Sequence, residues 1–209
     1  MKLVESMFLK YNRVLVIVLI VGLSFPSVSK AQEEFNVDGS RNDFKFTLLS
    51  LGSGSTRITY ERAINPLNSW EATVGLIGLG WDWMNRSDPR GLLFKFAFKW
   101  RLLPQRSSDS WLAGFYVKPE LVLAQFRHKY KNQDAWREPP KCPDQTIQLA
   151  LLAECGYQLV ANWFVFDIYT GLGPSFGTGN DYNYFHSFML FPAEGWLAFT
   201  AGFRIGVAF

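Results

Sequence analysis

Charged side chains recur in this chain at every second or fourth position of otherwise apolar stretches. Arg57 and Glu61, then Lys95, Lys99 and Arg101, then Lys118 and Glu120 keep that spacing, and Glu154, Asp167 and Arg204 stand singly in similar surroundings. Residues two apart on an extended chain share a face, so these charges are set to meet across strands as paired ions or as a polar path. Nucleophilic chemistry has weaker candidates. His186 and Ser187 are adjacent, where successive side chains diverge, and no acid is placed to orient the histidine. His128 stands beside Lys129 with no partner spacing. No phosphate loop, nucleophile elbow or metal-ligand spacing is present, so neither a catalytic residue, a metal nor a cofactor is expected. Cys142 lies in a proline-rich stretch (EPPKCPD) and Cys155 inside the following apolar alternation, which sets them poorly for a disulfide.

The elements carrying these charges have a period of two. FKFTLLSL (44–51) puts Phe44, Phe46 and Leu48 opposite Lys45 and Thr47, and TRITYERAI (56–64) puts Ile58, Tyr60 and Ile64 opposite Arg57, Thr59 and Glu61. WEATVGLIGLGWDW (70–83) loses phase near Gly78, which a bulge or a glycine bend explains. GLLFKFAFKWRLL (91–103) sets Leu92, Phe94, Phe96, Phe98, Trp100 and Leu102 against Lys95, Ala97, Lys99 and Arg101. WLAGFYVKPELVLAQF (111–126), TIQLALLAECGYQL (146–159), WFVFDIYTGLG (163–173) and WLAFTAGFRIGVAF (196–209) continue the pattern. Eight such segments predict an all-β fold, an eight-stranded antiparallel up-and-down transmembrane β-barrel over residues 43–209. Pro119 falls mid-segment and predicts a local bulge, because a closed barrel has no edge strand to hold a proline.

The alternative is a soluble β-sandwich or lipocalin-like barrel, with the apolar face as core. Four observations favour the membrane barrel. The polar face mixes single charges of both signs with glycine, alanine and tyrosine, as a narrow interior requires. The apolar face carries Phe94, Phe96, Phe98 and Trp100 in succession, bulk that lipid accepts more readily than a packed core. Trp70, Trp83, Trp100, Trp111, Trp163 and Trp196 fall near segment ends, where an aromatic girdle would sit. Connections alternate between short (NPLNS, Ala161-Asn162) and long (129–145, 178–193), the layout of short periplasmic turns and long external loops.

The first residues point the same way. Lys2, Lys10 and Arg13 precede the apolar run Val14–Leu23, and Ser29 and Ala31 occupy the −3 and −1 positions of a cut before Gln32. That is the pattern of a cleaved signal peptide over 1–31, with 32–42 as a short periplasmic lead-in, although a retained anchor has the same charge order. Four of the 21 basic and one of the 18 acidic residues lie in 1–31, leaving 17 of each. The remainder is formally neutral, with nothing to suggest nucleic acid as a partner.

The motifs Tyr60-Glu61-Arg62-Ala63, Asn68-Ser69-Trp70 and Gly171-Leu172-Gly173-Pro174, together with the terminal strand, resemble the small eight-stranded outer-membrane barrels of Bacteroidota-type bacteria, including a domain of unknown function. The resemblance covers most of 43–209. It implies a place in the cell outer membrane among lipid and lipopolysaccharide. It also implies that Phe203, Ile205, Val207 and Phe209 form the strand read by the barrel assembly machinery. The expected role is non-enzymatic: structural, surface-interacting through loops 129–145 and 178–193, or connected with a small solute. Some barrels of this size modify lipid A with loop histidines, which keeps His128 and His186 as the enzymatic alternative.

Overall fold

The computed structural model describes residues 39–82, 90–104, 110–127, 146–177 and 197–209. The signal-peptide candidate, His128, His186, Ser187, Cys142, Trp83, Trp196 and the loops 129–145 and 178–193 all lie outside the described residues. Within them, eight strands run β1 (Asn42–Thr47), β2 (Ser53–Asn65), β3 (Asn68–Asp82), β4 (Arg90–Pro104), β5 (Gly114–Arg127), β6 (Thr146–Ala161), β7 (Phe164–Gly177) and β8 (Leu197–Ala208). Each pairs antiparallel with its sequence neighbours, and β1 closes onto β8 through Asp43–Thr47 against Ala208–Arg204. The result is a closed up-and-down barrel in sequence order.

The alternation of residue types sets which way the barrel faces. On β4 the odd positions Leu93, Lys95, Ala97, Lys99 and Arg101 are buried, while Phe94 and Phe96 on the even set are 49% and 55% exposed. β2, β5, β6, β7 and β8 repeat this, so the polar face is the inside and the apolar face is the outside. A water-soluble barrel has the opposite arrangement.

Turn chemistry follows the residues available. Asn65 Oδ1 accepts from the Leu67 and Asn68 amides (2.9 and 2.8 Å), an Asx turn that tightens the β2–β3 connection. Asn162, at φ 55°, takes the left-handed position in the two-residue β6–β7 turn. The phase slip in β3 is a register shift: Ser55 pairs with Ile77 but Ser53 with Asp82, and Gly78 (φ 99°) absorbs the extra residues.

Three expectations are corrected. The first strand stops at Thr47, and Leu48–Gly52 forms a single helical turn, α1. The adjacent leucines 48 and 49 cannot both continue an alternating face, and Ser50 turns back to donate to the Thr47 carbonyl (2.6 Å). Beyond Thr47, α1 packs between β8 and β2 where a strand would otherwise complete the wall.

The second correction concerns Pro119. It causes no bulge, because its register with β6 is unbroken (Pro119 opposite Ala153), and the β4–β5 register is the same on either side of it. The missing amide is absorbed by omitting one stretch of ladder, and the bulge falls instead between Arg101 and Leu103 on β4.

Thirdly, Trp111 belongs to no strand and no girdle. β5 starts at Gly114, and 110–113 folds into the barrel mouth, with Leu112 and Ala113 buried rather than on the outer face. Of the other tryptophans, Trp70 and Trp100 lie half-buried on the outside, and Trp163 is exposed at the β6–β7 turn.

The interior is filled in layers. At the long-loop end Ile77, Leu93, Val122, Phe126, Leu152 and small alanines form one apolar cluster. At the short-turn end Leu112, Ala63, Val165 and Ala208 form another, with Trp111 and Val160 against it. Between them runs a row of cross-strand partners that alternates bulk with its absence: Tyr116, Gly156, Tyr169 and Gly202. A Cβ on Gly156 would lie 2.5 Å from both the Tyr116 hydroxyl and the Ile168 carbonyl oxygen. Gly156→Ala is therefore expected to destabilise the barrel by about 1–3 kcal/mol through overpacking. Ala153→Val, on the exposed face one turn of the pleat away, should leave stability unchanged; urea titration followed by tryptophan fluorescence compares the two.

Candidate functional site

Seven cations and six carboxylates point into the barrel, none more than 5% exposed. All ten residues singled out by their spacing are there: Arg57, Glu61, Lys95, Lys99, Arg101, Lys118, Glu120, Glu154, Asp167 and Arg204. Asp43, Lys45 and Glu71 complete the set and were missed.

The centre is a square of four strands. Glu61 on β2 and Glu71 on β3 are direct cross-strand partners, a like-charge arrangement that repels in isolation. Lys45 from β1 and Lys99 from β4 lie between them. Lys45 Nζ is 2.5 Å from Glu61 Oε2 and 3.2 Å from Glu71 Oε2, and Lys99 Nζ is 2.6 and 3.1 Å from the same two oxygens. The Gln158 carbonyl accepts from both lysines (3.2 and 2.8 Å), and its amide nitrogen donates to Asp43 Oδ2 (2.7 Å). A glutamine suits this place because it offers an acceptor to the ammoniums and a donor to the carboxylate at once.

From the square the pairing spreads to the remaining strands. Arg101 donates through Nη2 to Glu61 and, at 3.1 Å, to Ser69, which itself donates to Glu61 (2.5 Å). The other Glu71 oxygen receives Lys118 (2.7 Å) and Arg204 (2.5 Å). Lys118 also meets Glu120 (2.8 Å) and Glu154 (3.0 Å), and Glu120 in turn takes Lys95 (2.5 Å). Asp167 receives the Tyr116 hydroxyl (2.7 Å) and lies 3.5 Å from both Arg204 and Lys45. Two aromatic faces join in: Lys99 sits 4.1 Å from the Tyr116 ring centre, and Arg204 4.1 Å from that of Tyr169. Arg57 lies toward the long-loop end, with its Nε donating to Ser55 Oγ (3.1 Å).

Such an arrangement fixes charge rather than moving it. Glu61, Glu71, Glu120, Glu154 and Asp167 each face two or more cations, and Asp43 faces Lys45 (3.5 Å). Among the described residues no three His, Cys, Asp or Glu side chains form a metal-binding group. Cys155 is a free thiol, half-buried on the outer face. The short-turn mouth is stopped by the 110–113 segment: Ser110 Oγ donates to the Ser40 carbonyl (3.2 Å), and Arg41 stacks on Trp111 (3.9 Å).

No family model, no curated protein and no solved structure matches this chain, so the reading below rests on geometry.

Glu71 touches four cations from four strands, so Glu71→Gln should cost about 3–5 kcal/mol, the range for removing one partner of a buried ion cluster. Arg62→Gln, on the exposed face, should leave the urea midpoint where it is. Equal midpoints for wild type and Glu71→Gln would mean that the network contributes nothing to the fold.

Proposed function

We propose that the chain is an integral outer-membrane β-barrel, related to the small Bacteroidota-type barrels it resembles, with a structural or surface-interacting role and no catalytic one. The observation that carries this reading is the inverted polarity of the barrel. Ile58, Val74, Phe94, Phe96, Leu121, Leu123, Ile168 and Leu172, on five strands, all expose about half of their surface, while the six carboxylates whose side chains are described are all buried. In water such a surface is an aggregation hazard; in hydrocarbon it is the expected exterior. On β4 the outward apolar set runs from Leu92 to Leu102, about 33 Å of strand, which at the usual tilt is a belt near 25 Å tall. A closed barrel also satisfies the lipid requirement that strand amides pair internally.

The aromatic side chains support the same placement. Phe44, Tyr60, Trp70 and Phe209 form a contact chain on the outer face at the short-turn rim (5.1–5.7 Å between ring centres), and Phe98 packs on Trp100 beside it (5.2 Å). Such a cluster fits the headgroup level of a bilayer. In this orientation the short turns are periplasmic, and a surface partner would be met through segments 129–145 and 178–193. The strand carrying Phe203, Ile205, Val207 and Phe209 is the one offered to the assembly machinery. The filled interior favours a structural or surface role over a solute path.

Two measurements test the reading. Outer-membrane protein in cold detergent should migrate as a compact species that shifts apparent mass on boiling. An unshifted band, with the protein in the soluble periplasmic fraction, would remove the membrane assignment. In planar bilayers the purified barrel should give no steady conductance above the bare membrane, and a stable ohmic pore would overturn the sealed interior.

A further inference from the structure

The charge network is tight on one side and loose on the other. Around Glu61 and Glu71 the lysine contacts run from 2.5 to 3.2 Å. On the β6–β8 side, Asp167 Oδ2 lies 3.5 Å from Lys45 Nζ, 3.8 Å from Lys99 Nζ and 3.5 Å from Arg204 Nη1. Glu154 Oε2 lies 3.8 Å from Arg204 Nη2. These are separations between opposite charges, longer than hydrogen bonds. Asp167 Oδ2, both Glu154 carboxylate oxygens and Arg204 Nε are buried and make no hydrogen bond to any described group.

The number of available protons explains why the lysines do not close the gap. An ammonium has three. Lys45 gives its three to Glu61, Glu71 and Gln158, and Lys99 sets its own against the same groups. Lys118 donates to Glu71 and Glu120, and its 3.0 Å approach to Glu154 Oε2 is not aligned as a hydrogen bond. Arg204 donates through Nη1 to Glu71. The gap is also held open from both sides. The Tyr116 hydroxyl pins the other Asp167 oxygen (2.7 Å), and the Tyr169 ring centre lies 4.1 Å from the Arg204 guanidinium. The Glu154 stem packs over Gly171, where a Cβ would come within 2.5 Å of its Cγ.

Carboxylate oxygens buried without a donor are costly, so the site calls for an occupant. It must donate to Asp167 and Glu154 and accept from Arg204 Nε. Chloride cannot donate and ammonium cannot accept, which leaves a small neutral molecule that does both. Atoms 3.5 to 3.8 Å apart can both reach a third atom at about 2.8 Å. We propose that water is built into the barrel here, one molecule bridging Arg204 to Asp167 and a second bridging Arg204 to Glu154. Buried waters occur at about one per 27 residues and make about three hydrogen bonds each, so a pair among these groups is of ordinary occurrence. The square of Glu61, Glu71, Lys45 and Lys99 stays dry because its donors are spent, and hydration is confined to the β6–β8 side. Through these waters Arg204 neutralises two carboxylates with which it makes no direct hydrogen bond.

The test is a crystal structure of the full barrel at a resolution that shows ordered water, for wild type and for Asp167→Glu. Wild type should show density at hydrogen-bond distance from both Asp167 Oδ2 and Arg204, and a second peak between Arg204 and Glu154. Asp167→Glu adds a methylene, which carries the carboxylate across the gap. The variant should bond Arg204 directly and lose the first peak while keeping the second. Direct hydrogen bonding between Arg204 and Asp167 in wild type, with no density between them, would overturn the site. A first peak that persists unchanged in Asp167→Glu would also overturn it, because that density would not belong to the Asp167 oxygen. Should the variant not fold, the wild-type density decides alone. The inference goes beyond the membrane reading and does not rest on it: the density decides the site whether or not wild type shows the heat shift that tests the membrane assignment.

Discussion

Everything inside this barrel depends on two lysines separating two glutamates. Glu61 and Glu71 face each other across β2 and β3, and Lys45 and Lys99 bridge both of them from the flanking strands. Taking ions out of water is costly, and such clusters seldom exceed a well-packed apolar core in stability. Their stronger consequence is for register. A slip of one residue in any of these strands would turn its charge from the interior to the apolar exterior, where nothing pairs with it. The square therefore makes the register of β1 to β4 a single choice. The contacts of Glu71 with Lys118 and Arg204, and of Lys45 with Asp167, extend that choice to β5, β8 and β7.

The packing around the square lets it stay dry. Two apolar clusters close the ends, and the row of Tyr116, Gly156, Tyr169 and Gly202 fits two aromatic rings into a width that four side chains would overfill. The tyrosines are also partners: Tyr116 donates to Asp167 and lends its ring face to Lys99, and Tyr169 does the same for Arg204. Steric and electrostatic requirements thus fall on the same residues. The interior charges are thus engaged largely with one another, and the outer face and the rims are what the barrel presents to its surroundings.

Much of this could be read from the chain because a period of two is a strong signal when one face is uniformly apolar. Ten interior charges followed from it directly. Of the other three, Lys45 was legible on the polar face of 44–51 without being counted among the charges that meet, and Asp43 and Glu71 belong to segments whose alternation starts late or loses phase. Asp43 precedes the first clear alternation, Lys45 belongs to a short strand whose apparent continuation is a helical turn, and Glu71 lies in the segment that loses phase at Gly78. The adjacent Leu48 and Leu49 were a legible sign that the first strand stops early. Pro119 and Trp111 were misread for a different reason. Whether a proline is bulged out or tolerated in register, and whether a tryptophan joins a girdle or stoppers a mouth, is decided by neighbours distant in sequence such as Ala153 and Ser40.

The same bookkeeping of charge explains the exterior. All six described carboxylates with assigned surroundings are used inside, where seven cations need them. Among the described side chains the exposed charged ones are Arg41, Arg62, Arg90 and Arg127, and they fall only where the apolar belt ends. A surface built this way separates its side chains by position, apolar along the belt and cationic at its edges. Arg90 and Arg127 are cross-strand partners at one such edge, on strands held in register by Gly91 and Phe126 on the inner side. By drawing these carboxylates inward, the interior network leaves arginine as the exposed charge type among the described side chains.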